Sequence, residues 1–185
     1  MSEIKILDSS TSDDFKKFLL NLSKNSLLNF NHFGSITKKN VKEIVEKELN
    51  RKDKIKFYSF INNKLIAYSF LTLFEKPSKK HNCILGIVVD DSYQNKGYGK
   101  EICEKMVKKG WNNNLEKIWL TVQLGNKKAI KLYKSLGFNI EGIFLNDEEE
   151  NGKYQTIISM AIFKNQKFSF KDRLKIWKNI DENIE

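Results

Sequence analysis

Apolar positions along this chain alternate between a helical and a strand-like period, and the changes of period mark its elements. From Asp13 to Lys24, the residues Phe15, Phe18, Leu19 and Leu22 recur three and four apart and predict a helix. A second helix is predicted over Thr37–Asn50, with Thr37 as its cap and Val41, Ile44, Val45 and Leu49 as its stripe. Lys56–Ile61 and Leu65–Phe74 read as two strands of a hairpin. They are joined through Asn62-Asn63-Lys64, because asparagine tolerates the positive φ that such turns require. Cys83–Val89 is a continuous apolar run of buried-strand length. Ile102/Met106 and Cys103/Val107 then restore the helical spacing up to about Gly110. A strand Lys117–Gln123, a helix Asn126–Leu136 and two strands near Ile140–Phe144 and Tyr154–Phe163 follow. Lys171–Ile184 reads as a terminal helix with Leu174, Trp177 and Ile180 on one side. The order predicts an α/β fold with a mixed, mostly antiparallel central sheet flanked by helices, and not a doubly wound one. One domain is expected over residues 1–163. Residues 164–185 form an extension, expected to be helical and packed on the domain or on the partner subunit of a homodimer.

The segment between the run Cys83–Val89 and the next helix is Gln94-Asn95-Lys96-Gly97-Tyr98-Gly99-Lys100. A strand, a glycine loop and a helix start are the parts of a phosphate cradle. The first N–H groups of a helix have no partner in their own helix and carry the positive end of its dipole. Gly97 and Gly99 allow an anion close to the main chain. A Walker A loop is excluded, since Gly99-Lys100 is followed by Glu101 and no glycine stands at the required position before it. The dinucleotide fingerprint is excluded too, because the residue three after Gly99 is Ile102. A tight turn that binds nothing would look similar, so the loop by itself leaves both readings open.

The downstream pattern decides between them. Leu120-Thr121-Val122 leads into Gly125-Asn126-Lys127-Lys128-Ala129-Ile130-Lys131-Leu132-Tyr133, and Gly137-Phe138 closes the helix. Asn126 is a good N-cap, and Asn126 and Tyr133 lie two turns apart on one helix face. The pattern L-x-V-x-x-x-N-x-x-A-I-x-L-Y-x-x-x-G-F resembles the second signature of the GNAT superfamily of acyl-CoA N-acyltransferases. The strand Ile84–Val89 with the loop Gln94–Gly99 resembles the first. The likeness runs from about Phe57 to Ile162, and Gly152-Lys153-Tyr154 with Met160 resemble the closing hairpin of that family. An Asp often found there is Thr156 in this chain.

The resemblance implies an acetyl-CoA-dependent N-acetyltransferase that needs no metal. It implies that the backbone of Ile87, Val88 and Val89 holds the pantetheine arm. Gln94, Asn95, Lys96, Gly97, Tyr98, Gly99 and Lys100 would form the pyrophosphate loop. Asn126 would bond the cofactor near its thioester, and Tyr133 would both contact the cofactor and act as general acid for the departing thiolate. The chemistry has its own needs. A lysine-like amine is neutral in only about 1 of 2,500 molecules at pH 7, so a base or a desolvating pocket helps. Some protein N-terminal acetyltransferases of the superfamily place a Glu at the middle of L-x-V, where this chain has Thr121. Asp90, Asp91, Glu141, His32 and Glu75 remain as candidate bases. Asp90-Asp91 also fits a solvated strand end, and His32 a surface or packed histidine. Phe30, His32, Phe33, Phe57 and Phe74 are candidate acceptor-lining residues, though phenylalanines in such segments are more often core. Asp147-Glu148-Glu149-Glu150 reads first as a solvated hairpin tip and second as an attraction for a cationic amine.

Composition narrows the setting. A chain of 185 residues with 40% hydrophobic and 12% aromatic residues supports one large core and is not disordered. Leu65–Phe74 is about half a membrane span, and Met1–Asp8 holds no signal-peptide core. Cys83 and Cys103 form neither a disulfide framework nor a metal spacing. A cytoplasmic protein is therefore expected. The formal charge of +10 raises nucleic acid as a partner, but the lysines are dispersed among acids. Lys127, Lys128, Lys131 and Lys134 suit the negative charges of coenzyme A equally well. The acceptor is a small-molecule or protein amine. Two other classes stand beside the enzyme: a non-catalytic acyl-CoA-binding module and a basic nucleic-acid-binding protein.

Overall fold

The computed structural model describes residues 5–30, 32–150 and 152–165. Those residues carry an α/β fold in which every pairing described below is antiparallel. They divide into two compact units, one ending at Leu115 and the other beginning at Glu116. The expected helix over Lys171–Ile184 lies outside the described residues.

The first unit holds β1 (Lys5–Leu7), α1 (Ser12–Asn21), α2 (Lys24–Phe30), α3 (Val41–Leu49), β2 (Lys54–Ile61), β3 (Lys64–Leu73), β4 (Asn82–Val89) and α4 (Tyr98–Asn112). Its strands run in the order β1-β2-β3-β4. The β2–β3 turn forms as the sequence predicts, with Asn62 at φ 49° and Asn63 at φ 60°. Ile61 faces Lys64 across that turn. Period-two alternation then sorts β4 between two cores. Val88 joins Phe15, Phe18, Leu19, Val41, Val45, Tyr58, Tyr68 and Phe70, the cluster covered by α1 and α3. Ile87 and Val89 pack with Ile61, Ile66, Tyr98 and Ile102, the cluster under α4. Each fully buried side chain of this kind contributes about 1.5–3 kcal/mol.

Three details depart from the sequence reading. The expected first helix stops at Leu22, whose ψ of 139° is extended. Ser23 then starts α2, its hydroxyl accepting from the N–H of Ser26 at 3.1 Å. Thr37 does not cap α3. Its N–H donates to Asn40 Oδ1 at 2.7 Å and its hydroxyl accepts from the Asn40 N–H at 3.3 Å, a local turn that delays the helix to Val41. Strand β1 carries no alternation long enough to read, and it is defined by its pairing with β2, Lys5 opposite Phe60 and Leu7 opposite Tyr58.

Gly86 of β4 faces Phe70 of β3. A Cβ added there would stand 2.3 Å from Phe70 Cζ. The ring cannot retreat, because Lys54 Nζ lies 3.7 Å over it and His32 and Tyr68 flank it with centroids at 4.5 and 5.6 Å. Gly86→Ala is therefore expected to destabilise the fold by about 1–3 kcal/mol through overpacking. A fall in the urea midpoint at unchanged m checks this, and an unchanged midpoint would show that the ring moves freely.

The second unit holds β5 (Lys117–Gln123), α5 (Lys127–Ser135), β6 (Asn139–Glu150) and β7 (Lys153–Phe163), with strand order β5-β7-β6. Trp119 pairs Ala161, and Thr121 pairs Ser159. Strand β6 is far longer than the expected Ile140–Phe144. Its register shifts between Phe144 and Glu148, and Asn146 there adopts φ 53°. That irregularity broke the alternation and hid the outer half of the strand from the sequence reading. No described helix is long and apolar enough to cross a membrane.

Candidate active site

In the first unit, β4 ends at Val89 and a short 3-10 turn, Asp91–Tyr93, leads into the glycine loop. Two residues of that loop take left-handed backbone, Asn95 at φ 58° and Gly97 at φ 86°. Gly97 is the N-cap of α4, and it supplies no side-chain hydrogen bond to the first turn. Two other helices are capped by side chains. Thr11 caps α1 by accepting from Asp14 N–H, and Asn126 caps α5 by accepting from Ala129 N–H. The 15-residue α4 starts on a bare backbone, as does α3, whose N-cap Asn40 makes no side-chain cap bond either. A Cβ at Gly97 would meet nothing within 4 Å, so the space in front of the helix start is open. Asn95, Lys96 and Lys100 are exposed around it, Gly99 is half-buried, and Tyr98 turns inward to the core. Lys96 Nζ donates to Ser92 O at 2.8 Å, which holds an ammonium at the loop. These residues fit a polyanion such as the pyrophosphate of coenzyme A.

Gln94 stands differently from its neighbours. Its Nε2 donates to Val89 O at 3.0 Å and to Ser26 Oγ at 2.9 Å, and its N–H donates to Asp91 O at 3.3 Å. All three of its N–H donors go into the protein.

In the second unit, β5 passes through Leu124 and Gly125 to Asn126, whose N–H donates back to Gln123 O at 2.9 Å. Asn126 Oδ1 accepts from Ala129 N–H at 3.1 Å, as its position in the sequence predicts. Tyr133 is buried on α5 with its ring 5.7 Å from that of Phe138. Thr121 is exposed on β5.

The candidate bases mostly have structural partners. Asp90 is only 1% exposed and so is not a solvated strand end. Burial opposes its charge, yet bonds from Ser92 N–H, Lys64 and Asn21 hold its pKa below the usual range. Asp91 behaves alike: burial raises it, and Ser23 and Ser26 bring it down further than burial lifts it. Glu141 pairs with Lys117 at 2.5 Å, and Glu75 is exposed. His32 belongs to a buried polar network invisible in the sequence. Lys54 Nζ, fully buried, stands 2.7 Å from His32 Nε2 and 2.6 Å from Glu48 Oε1. The same His32 Nε2 also lies 3.4 Å from Glu48 Oε2, so the ring's tautomer sets which of the two contacts it serves. Tyr68 OH donates to Glu48 Oε1 at 2.5 Å. Burial works against the Glu48 charge, but His32, Lys54 and Tyr68 hold its pKa down to about 2. Burial pushes Lys54 down to about 8 against the pull of Glu48.

Of the candidate acceptor-lining rings, Phe30 and Phe33 pack on the core of the first unit, and Phe57 is buried. Phe74 is half-buried beneath Lys79 Nζ at 5.5 Å. At the β6–β7 tip Asp147 and Glu149 are exposed, and Leu145 and Tyr154 expose apolar surface beside them. Burial raises both thiols, Cys83 and Cys103, to about 12, which makes them inert core residues.

Residues 26–138, more than half of the chain, match the model of the "Acetyltransferase (GNAT) family". The chain belongs to the GNAT family. Among curated relatives, it is 36% identical over 81 residues to a spermidine N(1)-acetyltransferase of Escherichia coli, covering 43% of this chain and 44% of that one. It is 38% identical over 101 residues to the E. coli ribosomal protein bS18-alanine N-acetyltransferase, covering 55% and 66%. The chain thus spans about half to two thirds of the length of these relatives. A solved structure of Vibrio cholerae spermidine N-acetyltransferase, in complex with CoA and spermine, shares the GNAT fold. Its TM-score is 0.75 at 22% identity, over 90% of this chain and 98% of that one. An acetyltransferase of the GNAT family from Streptococcus pneumoniae aligns with a TM-score of 0.69 at 24% identity, over 88% and 100%.

Proposed function

We propose that this GNAT chain transfers the acetyl group of acetyl-CoA to a primary amine by direct attack. The observation that carries the reading is the bare, open start of α4 behind a loop with two left-handed residues, set within a family match that spans both signatures. Acetyl-CoA supplies the activated acyl group and a thiolate leaving group. The α4 N–H groups, Lys96 and Lys100 bind the pyrophosphate, and the Ile87–Val89 backbone aligns the pantetheine arm. Asn126 orients the thioester end. The amine nitrogen forms a bond to the thioester carbonyl carbon, the carbon–sulfur bond breaks, and Tyr133 OH gives its proton to the departing sulfur. The proton lost by the amine passes to solvent, because Thr121 offers no carboxylate and Asp90, Asp91 and Glu141 are committed to structural partners. The relatives act on amines of two kinds by name, a polyamine and the alanine of a ribosomal protein. The acceptor of this chain is placed in that general class of primary amines.

Acetyl-CoA is expected to raise the melting temperature and to give measurable heat in calorimetry. Gly97→Glu should abolish both signals, since it forces a side chain onto φ 86° and sets a negative charge at the positive end of α4. No heat and no thermal shift with wild-type protein at millimolar acetyl-CoA would overturn the reading. Retained binding in the variant would move the phosphate site elsewhere. A panel holding spermidine, free amino acids and an alanine-terminated peptide, read by thiol release, then assigns the acceptor.

A further inference from the structure

The carboxylate of Asp91, an exposed residue, is bonded to the junction between α1 and α2. Oδ2 accepts from Ser23 N–H at 2.9 Å, and Oδ1 accepts from Ser23 Oγ at 2.7 Å and Ser26 Oγ at 2.8 Å. Ser26, itself buried, accepts in turn from Gln94 Nε2 at 2.9 Å. The N–H of Gln94 returns to Asp91 O at 3.3 Å. The bonds close a ring: Gln94 to Ser26, Ser26 to Asp91, and Gln94 back to Asp91. The ring has one consistent direction, because an ionised carboxylate only accepts, an amide nitrogen only donates, and a hydroxyl does both. Two further bonds extend it. Gln94 Nε2 also holds Val89 O, at the end of the proposed pantetheine strand, and Asn21 Nδ2 holds Asp90 Oδ2 at 2.9 Å.

The ring joins segments 65 and more residues apart in sequence. It restrains the short path from Val89 to Gly97, which must hold Asn95 and Gly97 in left-handed backbone. A loop of that kind samples other conformations unless its surroundings over-determine it, and each alternative lowers the fraction competent to bind.

We propose that Asp91, Ser26 and Gln94 are positioning residues that lock the phosphate loop in its binding form and couple acetyl-CoA occupancy to the order of α2. The inference rests on the reading of this loop as the acetyl-CoA site. It reassigns Gln94 from contacting the cofactor to holding the loop that does.

The test is calorimetry with acetyl-CoA on the full chain, with hydrogen exchange of the wild type in the presence and absence of the cofactor. Ser26→Ala is expected to raise the Kd about tenfold, by letting the loop leave its competent state. Ser26→Thr keeps a hydroxyl and should restore most of the affinity. Asp91→Asn, which replaces one acceptor oxygen by a donor, should weaken binding to a similar degree, and it serves as a second probe if the alanine variant folds poorly. In turnover the change should fall on KM for acetyl-CoA, with kcat at saturation within about twofold. In the wild type, acetyl-CoA should slow exchange of the Ser26 and Leu27 amides, and Ser26→Ala should remove that protection. A structural role alone lowers the melting temperature without these effects. Unchanged Kd in both variants, or wild-type binding without protection of residues 23–30, would overturn the coupling while leaving the proposed function intact. Wild-type protein that does not bind acetyl-CoA at all would overturn both.

Discussion

Tyr133→Phe is expected to lower kcat by about 10²–10⁴-fold, the usual worth of a positioned general acid, with little change in acetyl-CoA affinity. A coenzyme A thiolate resembles a cysteine thiolate of pKa near 8.5, so its departure is assisted by a proton delivered as the carbon–sulfur bond breaks. A phenol held on a helix delivers that proton without carrying a charge into a cofactor site. Tyr133 is buried on α5, and the chain after it is folded back by two bonds to its own carbonyl, from the N–H groups of Leu136 and Phe138. The position of the hydroxyl is therefore set by a closed helix end and not by a mobile loop. Phenylalanine keeps the ring and its contact with Phe138, so the variant isolates the hydroxyl. Steady-state kinetics with the acceptor found in the amine panel, alongside calorimetry with acetyl-CoA, separate the two. Turnover near that of the wild type would remove Tyr133 from the mechanism and leave water as the proton source.

The second large effect is on stability. Glu48→Gln is expected to cost about 3–5 kcal/mol, because it leaves the Lys54 ammonium buried without its anion. For a chain of this size that corresponds to a fall in Tm of roughly 6–20 °C. The side chain of Lys54 is 0% exposed and that of Glu48 4%, so water cannot replace the lost partner. Both pKa values are lowered, with opposite consequences for the charged forms. Glu48 is favoured as an anion, and Lys54 is disfavoured as a cation by its burial, so the net worth of the pair is smaller than the cost of breaking it. The double variant Glu48→Gln/Lys54→Met should accordingly recover much of what the single variant loses. The acid limb of stability follows from the same residue. The folded Glu48 binds its proton less readily than the unfolded one, from an ordinary 4.5 down to about 2. Its contribution is thus complete above pH 4.5 and is lost as the pH falls through that window. Urea midpoints of wild type and Glu48→Gln, measured at pH 7 and again between pH 5 and 3, should converge on acidification. A single variant within about 1 kcal/mol of wild type at pH 7 would show that Lys54 finds another partner.

Local rules explain why much of the fold was legible. Asn62-Asn63 between two alternating runs specifies a turn with two positive φ angles, and both are present. Strand Lys117–Gln123 has the limits its pattern predicts. Asn126 caps α5 because a short polar side chain before an apolar stripe can accept from a first-turn N–H. The glycine loop between β4 and α4 was legible for the same reason, as glycines after a buried strand and before a helix are constrained by what the backbone must do. The first helix was read too long, however, because the extended backbone at Leu22 breaks no hydrophobic pattern. The length of β6 was missed because its irregularity near Asn146 removes the alternation that marks a strand.

Sequence by itself determined the order of elements, the two signatures and hence the family, since each depends on residues close together in the chain. The tertiary structure alone decided which charged residues are spent on holding the fold. Asp90 looked like part of a solvated strand end and proved to be buried against Asn21 and Lys64, while Asp91 is exposed and is nevertheless bonded to Ser23 and Ser26. His32 looked like a surface or packed histidine and proved to lie 2.7 Å from the Nζ of a fully buried lysine and 3.4 Å from Glu48. The physical reason is the same in both cases. Burying a charge is tolerated only when partners satisfy it, and those partners come from distant parts of the chain, where no local spacing can announce them.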